Sequence, residues 1–260
     1  MIHYSFSVYD LEYFLLILVR VVSFVHTAPF LSMKDTPSRI RIALSFFTAL
    51  LLYQALTPAE AVAYSTVTEY AVVVMKEAVV GLLIGFAASI CSSIVNFAGS
   101  IADMEVGLSM MTLLDPTSGQ TTSITGVLYQ YVLMLMMMAS GMYRYFFRAL
   151  ADTYTLIPVN GAIFRSETLM NSMLEFLKDY VIIGFRIVLP IFCSMLLLNA
   201  VLGILAKVSP QLNMFAVGIQ LKVLVGLSIL FLTVEMMPSV AEMIFDEMER
   251  MIVSFMGGMT

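Results

Sequence analysis

Three carboxylates, Asp103, Glu105 and Asp115, fall within the stretch GSIADMEVGLSMMTLLDPTSGQTTS at 99–123. Acid–base or nucleophilic work by such groups needs a base paired with a nucleophile within hydrogen-bond reach, and this stretch offers no such pair and no basic neighbour. The three are read as solvated groups on a loop. His3 and His26 stand alone, and Cys91 and Cys193 have no CxxC or Cys/His spacing. Two small core residues are favoured over a disulfide for this pair of cysteines. No G-x-x-x-x-G-K-[ST] loop and no H-E-x-x-H pair occurs. The sequence predicts no enzyme, no metal and no cofactor.

The polar groups that do invite a question lie elsewhere. LAKVSPQLNMFAVG (205–218) places Lys207, Ser209, Pro210, Gln211 and Asn213 between two long apolar runs. Other charges sit inside such runs: Arg20 and His26, Lys76 and Glu77, Arg186, Lys222 and Glu235. Hydrophobic residues make up 60% of the 260 and charged residues 12%, against about half and a quarter in a soluble domain. With a mean hydropathy of +0.96, the chain belongs to the membrane class. Its net charge of −5 argues against nucleic acid, which needs a basic face. The N-terminal MIHYSFSVYDLEYF lacks a basic region, so no cleaved signal peptide is expected.

Six apolar segments are expected to carry the fold, at about 11–31, 42–57, 71–95, 124–143, 181–206 and 214–237, judged against the roughly 20 residues that span a bilayer. A charge at the centre of a lipid-facing helix costs about 2.5–3.5 kcal/mol on insertion scales, so the embedded charges must face protein or water. Strict alternation of the six segments also fails. If the basic loop SMKDTPSRIR is cytoplasmic, the loop with Arg144, Arg148, Arg165 and Lys178 falls outside and the acidic 103–115 falls inside. The expectation is therefore an all-α integral membrane-type protein with a non-serpentine topology.

Gly81, Gly85, Ser89 and Ser93 recur every four residues and give a small-residue stripe, which lets helix backbones approach closely where lipid offers no hydrophobic incentive. Lys76 and Glu77 do not face each other on a helix, so each needs its own partner, with another chain a candidate source. The 99–123 stretch has turn-like composition, and Asp115-Pro116 should break any helix. It also carries Met110, Met111, Leu113 and Leu114, which predicts an ordered loop filling a cavity, with the methionines as a deformable seal. Other methionines, such as Met134, Met136, Met137 and Met138, read as core filler. Leu169, Met170, Met173, Leu174 and Leu177 predict an amphipathic helix over 164–180 that runs into the fifth segment, with Ser166 as cap and Pro190 as a bend. At the C-terminus, Ser239 and Glu242 read as a capping box. Val240, Ile244, Met248, Met251 and Phe255 line one face behind it, opposite Glu242, Asp246, Glu247, Glu249 and Arg250. That helix reads equally as a surface for a protein partner and as a solvated end.

Residues 184–227, with Pro190, Gly203, Lys207, Pro210-Gln211, Asn213, Phe215, Gly218, Lys222 and Gly226, resemble the C-terminal hairpin of the FliR/SctT family of type III export-gate subunits. Arg20 followed by Pro29 and Pro37 is similar to the family's first hairpin. Glu77, Gly81 and Gly85 match its E-x-x-x-G-x-x-x-G segment, and Gly107, Asp115-Pro116 and Gly119 its central loop. Gly141 and Pro158 also fall where the family has them, so the resemblance covers about residues 14–237.

The resemblance implies bent helical hairpins, with a FliP-like part over 1–180 and a FliQ-like hairpin over 181–237; beyond them the residue spacing itself predicts the C-terminal amphipathic helix over 238–260. It implies assembly with FliP and FliQ, next to FlhB and FlhA, in the bacterial inner membrane at the flagellar basal body, passing unfolded flagellar proteins. It assigns the loop 107–123 as a plug, with Met110, Met111, Leu113 and Leu114 as the apolar stopper. Subunit packing falls to Glu77, Gly81, Gly85, Ser89, Lys207, Pro210, Gln211, Asn213, Phe215 and Lys222. Lys207 keeps the positive charge where arginine is also common in the family. A virulence-secretion counterpart, a secondary transporter with broken helices and a poreless membrane scaffold are the competing readings; no internal repeat supports the transporter.

Overall fold

The computed structural model describes residues 8–31, 36–56, 64–109, 123–209, 211 and 213–260. Among them every regular element is helical: α1 Val8–Thr27, α2 Ser38–Leu56, α3 Val67–Val106, α4 Ile124–Ser140, α5 Met142–Leu156, α6 Ser166–Val208, α7 Met214–Thr233, a 3-10 turn Val234–Met236 and α8 Met237–Gly257. Among the described residues four stretches are long and apolar enough to cross a membrane, Ser38–Leu56, Val67–Val106, Ser166–Val208 and Ala216–Gly257, with α4 and α5 a fifth if they form one broken span. The six apolar segments thus do not become six spans. α1, which carries Asp10, Glu12 and Arg20, is not among the four, and α7 runs through the 3-10 turn into α8 as one stretch.

The chain divides into two compact units interleaved along the sequence. The first unit joins Met1–Cys91, Gly141–Phe176 and Glu247–Thr260. In it α1 lies against the first half of α3. A Cβ at Gly81 would strike the carbonyl of Arg20, and one at Gly85 the hydroxyl of Thr27, so the small-residue stripe does bring two backbones together, within this chain. Phe14 of α1 meets Phe46 and Tyr53 of α2 edge-on, with ring centroids 5.7 and 5.9 Å apart.

The C-terminal stretch closes this first unit. Ile163 and Arg165 donate their backbone N–H groups to the carbonyls of Met259 and Gly258 at 3.0 and 2.9 Å. The hydroxyls of Ser172 and Ser254 share a hydrogen bond of 2.6 Å. Met248, Met251 and Phe255 are buried in this unit, and Val240 and Ile244, earlier on the same helix, are buried in the second. The apolar face of α8 is therefore core of this chain, while Glu242, Asp246 and Arg250 on the charged face are exposed. The capping box is corrected. The helix already begins at Met237, and the Ser239 hydroxyl donates back to the carbonyl of Met236 at 2.8 Å. Pro238 stands in the first turn, where a missing N–H breaks no helical bond.

The second unit joins Ser92–Ser140 and Leu177–Asp246. Here the second half of α3 meets α4 at backbone distance: a Cβ at Gly99 would overlap the backbone of Gly126. α6 runs unbroken through Pro190 for 43 residues, and Gly184 on it packs against the ring of Phe97. Cys91 is buried as expected, whereas Cys193 lies on an exposed face of α6 and is no core residue; both are free thiols.

Candidate functional site

The 99–123 stretch is not a loop from its start. α3 continues to Val106, because Gly99 is required by the contact with α4 and the Ser100 hydroxyl satisfies itself on the carbonyl of Asn96 at 2.8 Å. Gly107 ends the helix with φ +89° and donates its N–H to the carbonyl of Asp103 at 3.0 Å. That left-handed residue is the usual helix stop, and glycine enters it without penalty.

Asp103 is consequently a helical residue, only 4% exposed, and the solvated reading of it is corrected. Its carboxylate accepts from the Ser123 hydroxyl at 2.7 Å, from the Thr125 N–H at 3.2 Å and from the Thr125 hydroxyl. Ser123 in turn accepts the N–H of Gly126 at 2.8 Å. The start of α4 thus has two caps: a serine from its own chain end and an anion from α3, placed where unsatisfied N–H groups and the helix dipole favour negative charge. On the far side of Asp103, the Ser109 hydroxyl donates to its carbonyl at 3.1 Å. Asn96 Nδ2 donates to Gln130 Oε1 at 3.1 Å lower down. One aspartate therefore fastens both ends of the segment 107–123. Met110, Met111, Leu113, Leu114, Asp115, Pro116 and Gly119 lie outside the described residues.

A second buried constellation surrounds Arg20. Its Nε donates to Glu77 Oε2 at 2.6 Å, both side chains being fully buried. Nη1 donates to the Thr153 hydroxyl at 3.2 Å and to the carbonyl of Ile157 at 3.0 Å. The Tyr154 ring lies 4.2 Å from the guanidinium carbon, a cation–π contact in a desolvated place. The other Glu77 oxygen accepts the N–H of Asn160 at 2.9 Å. Asn160 holds φ +68°, a conformation in which asparagine is enriched. Glu77 thus finds its counter-ion on α1 of its own chain. Lys76 and Lys222, half-buried in their helices, and Arg186, on an exposed face, have no carboxylate partner among the described residues.

At the polar connector, α6 ends at Val208 and α7 begins at Met214. Lys207, Gln211 and Asn213 are exposed. Asn213 caps α7, its side chain accepting from the N–H of Ala216 at 3.4 Å, a local role that the partner-facing reading overlooked although asparagine before an apolar run signals it. Pro210 and the side chain of Phe215 lie outside the described residues. Gly81 and Gly85 are buried against α1, and Ser89 is half-buried further along the same stripe. Among the described residues no group of three His, Cys, Asp or Glu side chains could hold a metal ion. The arrangement is a set of fasteners and exposed connectors.

A family model described as "Bacterial export proteins, family 1" matches residues 11–248. The chain is similar to the flagellar biosynthetic protein FliR of Bacillus subtilis (strain 168), 27% identical over 235 residues that cover 90% of each chain. It is likewise similar to the FliR of Escherichia coli (strain K12), 26% identical over 233 residues, 88% of this chain and 87% of the other. The FliR of Aquifex aeolicus (strain VF5) is 28% identical over 219 residues, 82% of each chain.

Proposed function

The chain belongs to the bacterial export proteins, family 1, and from that premise we propose that it is a core, non-enzymatic subunit of the flagellar type III export gate. It assembles with FliP and FliQ subunits, next to FlhB and FlhA, into a closed helical channel in the bacterial inner membrane at the base of the flagellum. Unfolded flagellar proteins pass through that channel. The observation that carries this reading is the near end-to-end similarity to FliR proteins from distant bacteria. Residues 1–180 form the FliP-like part and 181–237 the FliQ-like hairpin, bent and raised largely out of the bilayer plane, which accounts for the failed charge alternation.

The segment 107–123 is the plug, and Met110, Met111, Leu113 and Leu114 are its stopper. The Asp103 clamp supports that role, since a plug must return to one place and both of its ends are tied to one residue, Ser123 and Thr125 to the carboxylate of Asp103 and Gly107 and Ser109 to its backbone carbonyl. Lys207, Pro210, Gln211, Asn213 and Lys222 meet neighbouring subunits, so their desolvation is compensated there. The test is deletion of 110–114. The complex is expected to assemble in normal amount and, in a planar bilayer, to pass ions that the intact complex holds back. A deleted complex that stays closed would refute the plug assignment.

A further inference from the structure

Arg186 is the single charge in the apolar stretch 181–206 of α6. It lies seven residues beyond Asp179, about 10 Å along the axis at 1.5 Å per residue. Its side chain is exposed, and the one acceptor it finds among the described residues is a thioether, Met243 Sδ at 3.9 Å from Nη1. A guanidinium has five donors in a planar fork suited to carboxylate or phosphate, and a neutral sulfur is a weak substitute. One helical turn further on stands Pro190, which has no N–H to give to the carbonyl of Arg186. A strong donor and an acceptor short of its helical partner therefore occur at one point of an otherwise apolar helix.

That point opens onto a groove of about 280 Å³ lined by Arg186, Ile187 and Pro190 from α6 and by Thr233, Met236, Met237, Ser239, Val240 and Met243 from the α7–α8 junction. Glu235 and Glu242, the carboxylates nearest in sequence at that junction, do not line it. Three methionines in the wall give a surface that adapts to a flexible apolar chain.

We infer that this groove binds a phospholipid, its phosphate on the Arg186 guanidinium, its headgroup donor toward the Arg186 carbonyl and one acyl chain along the methionine wall. The charge pattern favours a lipid over a soluble anion. An arginine lays its apolar stem along a greasy wall and keeps its charged head for a phosphate, and the rest of the groove is greasy. Phosphatidylglycerol, with hydroxyl donors, satisfies both polar groups; phosphatidylcholine, which has none, satisfies only the guanidinium. This inference does not depend on the plug or on the identity of the partner subunits.

The test uses the chain with its co-purifying subunits in nanodiscs of equal phosphatidylglycerol and phosphatidylcholine, followed by native mass spectrometry of retained lipid. The intact protein is expected to retain phosphatidylglycerol preferentially. Arg186→Gln should lower that retention on the order of ten-fold, the loss of a charge-assisted hydrogen bond, with Arg186→Lys intermediate. Met243→Phe, which narrows the groove and leaves the arginine in place, should also lower it, and serves if the Arg186→Gln complex does not assemble. Unchanged retention in Arg186→Gln or, failing that variant, in Met243→Phe would overturn the proposal. So would a photoreactive residue at 186 that captures a polypeptide in place of lipid. Equal retention of the two lipids by the intact protein would overturn the carbonyl's part in it.

Discussion

Arg20 and Glu77 form an ion pair from which water is excluded on every side. Bringing two charges out of water costs several kcal/mol per ion, and what offsets it here is the set of hydrogen bonds around both members, although Nη2 of Arg20 is buried with no partner among the described residues. The guanidinium spends donors on Glu77, Thr153 and Ile157 and rests on Tyr154, while the carboxylate takes the N–H of Asn160 as well. Breaking such a pair on one side leaves a bare buried charge, at a cost of about 3–5 kcal/mol, whereas replacing both members with apolar groups is often neutral. Glu77→Ala is accordingly expected to deplete the folded chain in membranes, and the double variant Arg20→Met with Glu77→Leu to recover much of it, as read by chain abundance and protease resistance. No recovery in the double variant would mean that the pair does more than neutralise itself.

The sequence made it plain that Arg20 and Glu77 could not face lipid. It could not pair them, because the partners are 57 positions apart and only the packing of α1 on α3 brings them together. Asp103 was missed for a related reason. A carboxylate among glycine and serine looks solvated until the helix that carries it is known to reach Val106.

Among the elements, helix type and approximate position were legible from apolar runs and spacing, while the joints were not. Gly99 and Ser100 looked like a helix end and are instead a close crossing and a self-satisfied hydroxyl. Ser239 looked like a helix start, but α7 carries on through a 3-10 turn, so a residue already in the first turn has no free end to cap. Over 164–180, the buried positions are Ser172 and Phe176, with Met170, Leu174 and Leu177 exposed, so the apolar stripe there marks a wider greasy surface than this chain itself covers.

The glycines separate the two kinds of contact. Gly81 leaves no room for a side chain against α1, whereas nothing lies within 4 Å of a Cβ at Gly203. Gly81→Leu should sharply lower chain abundance, and Gly203→Leu should leave it unchanged, any effect of the latter appearing only in the amount of assembled complex. Equal loss of chain in both variants would contradict the packing described here.

For the whole molecule, the hydropathy and the family residues pointed to a membrane-embedded export protein, and the helical architecture and the family match agree. Its two interleaved units were not legible, because they depend on where α3, α6 and α8 pass from one packed cluster to the next. What the single chain leaves open is chemical. Lys76 and Lys222 lack carboxylate partners among the described residues, and much of α7 shows large apolar side chains at its surface, Leu224, Leu227, Phe231 and Leu232 among them. A subunit of a larger helical channel would use such groups against its neighbours. The most direct measurement is to extract the tagged chain from its own membranes in mild detergent and identify what comes with it at stoichiometric levels. The account predicts a discrete complex that contains FliP and FliQ; a monodisperse, stable single chain, free of both, would contradict it.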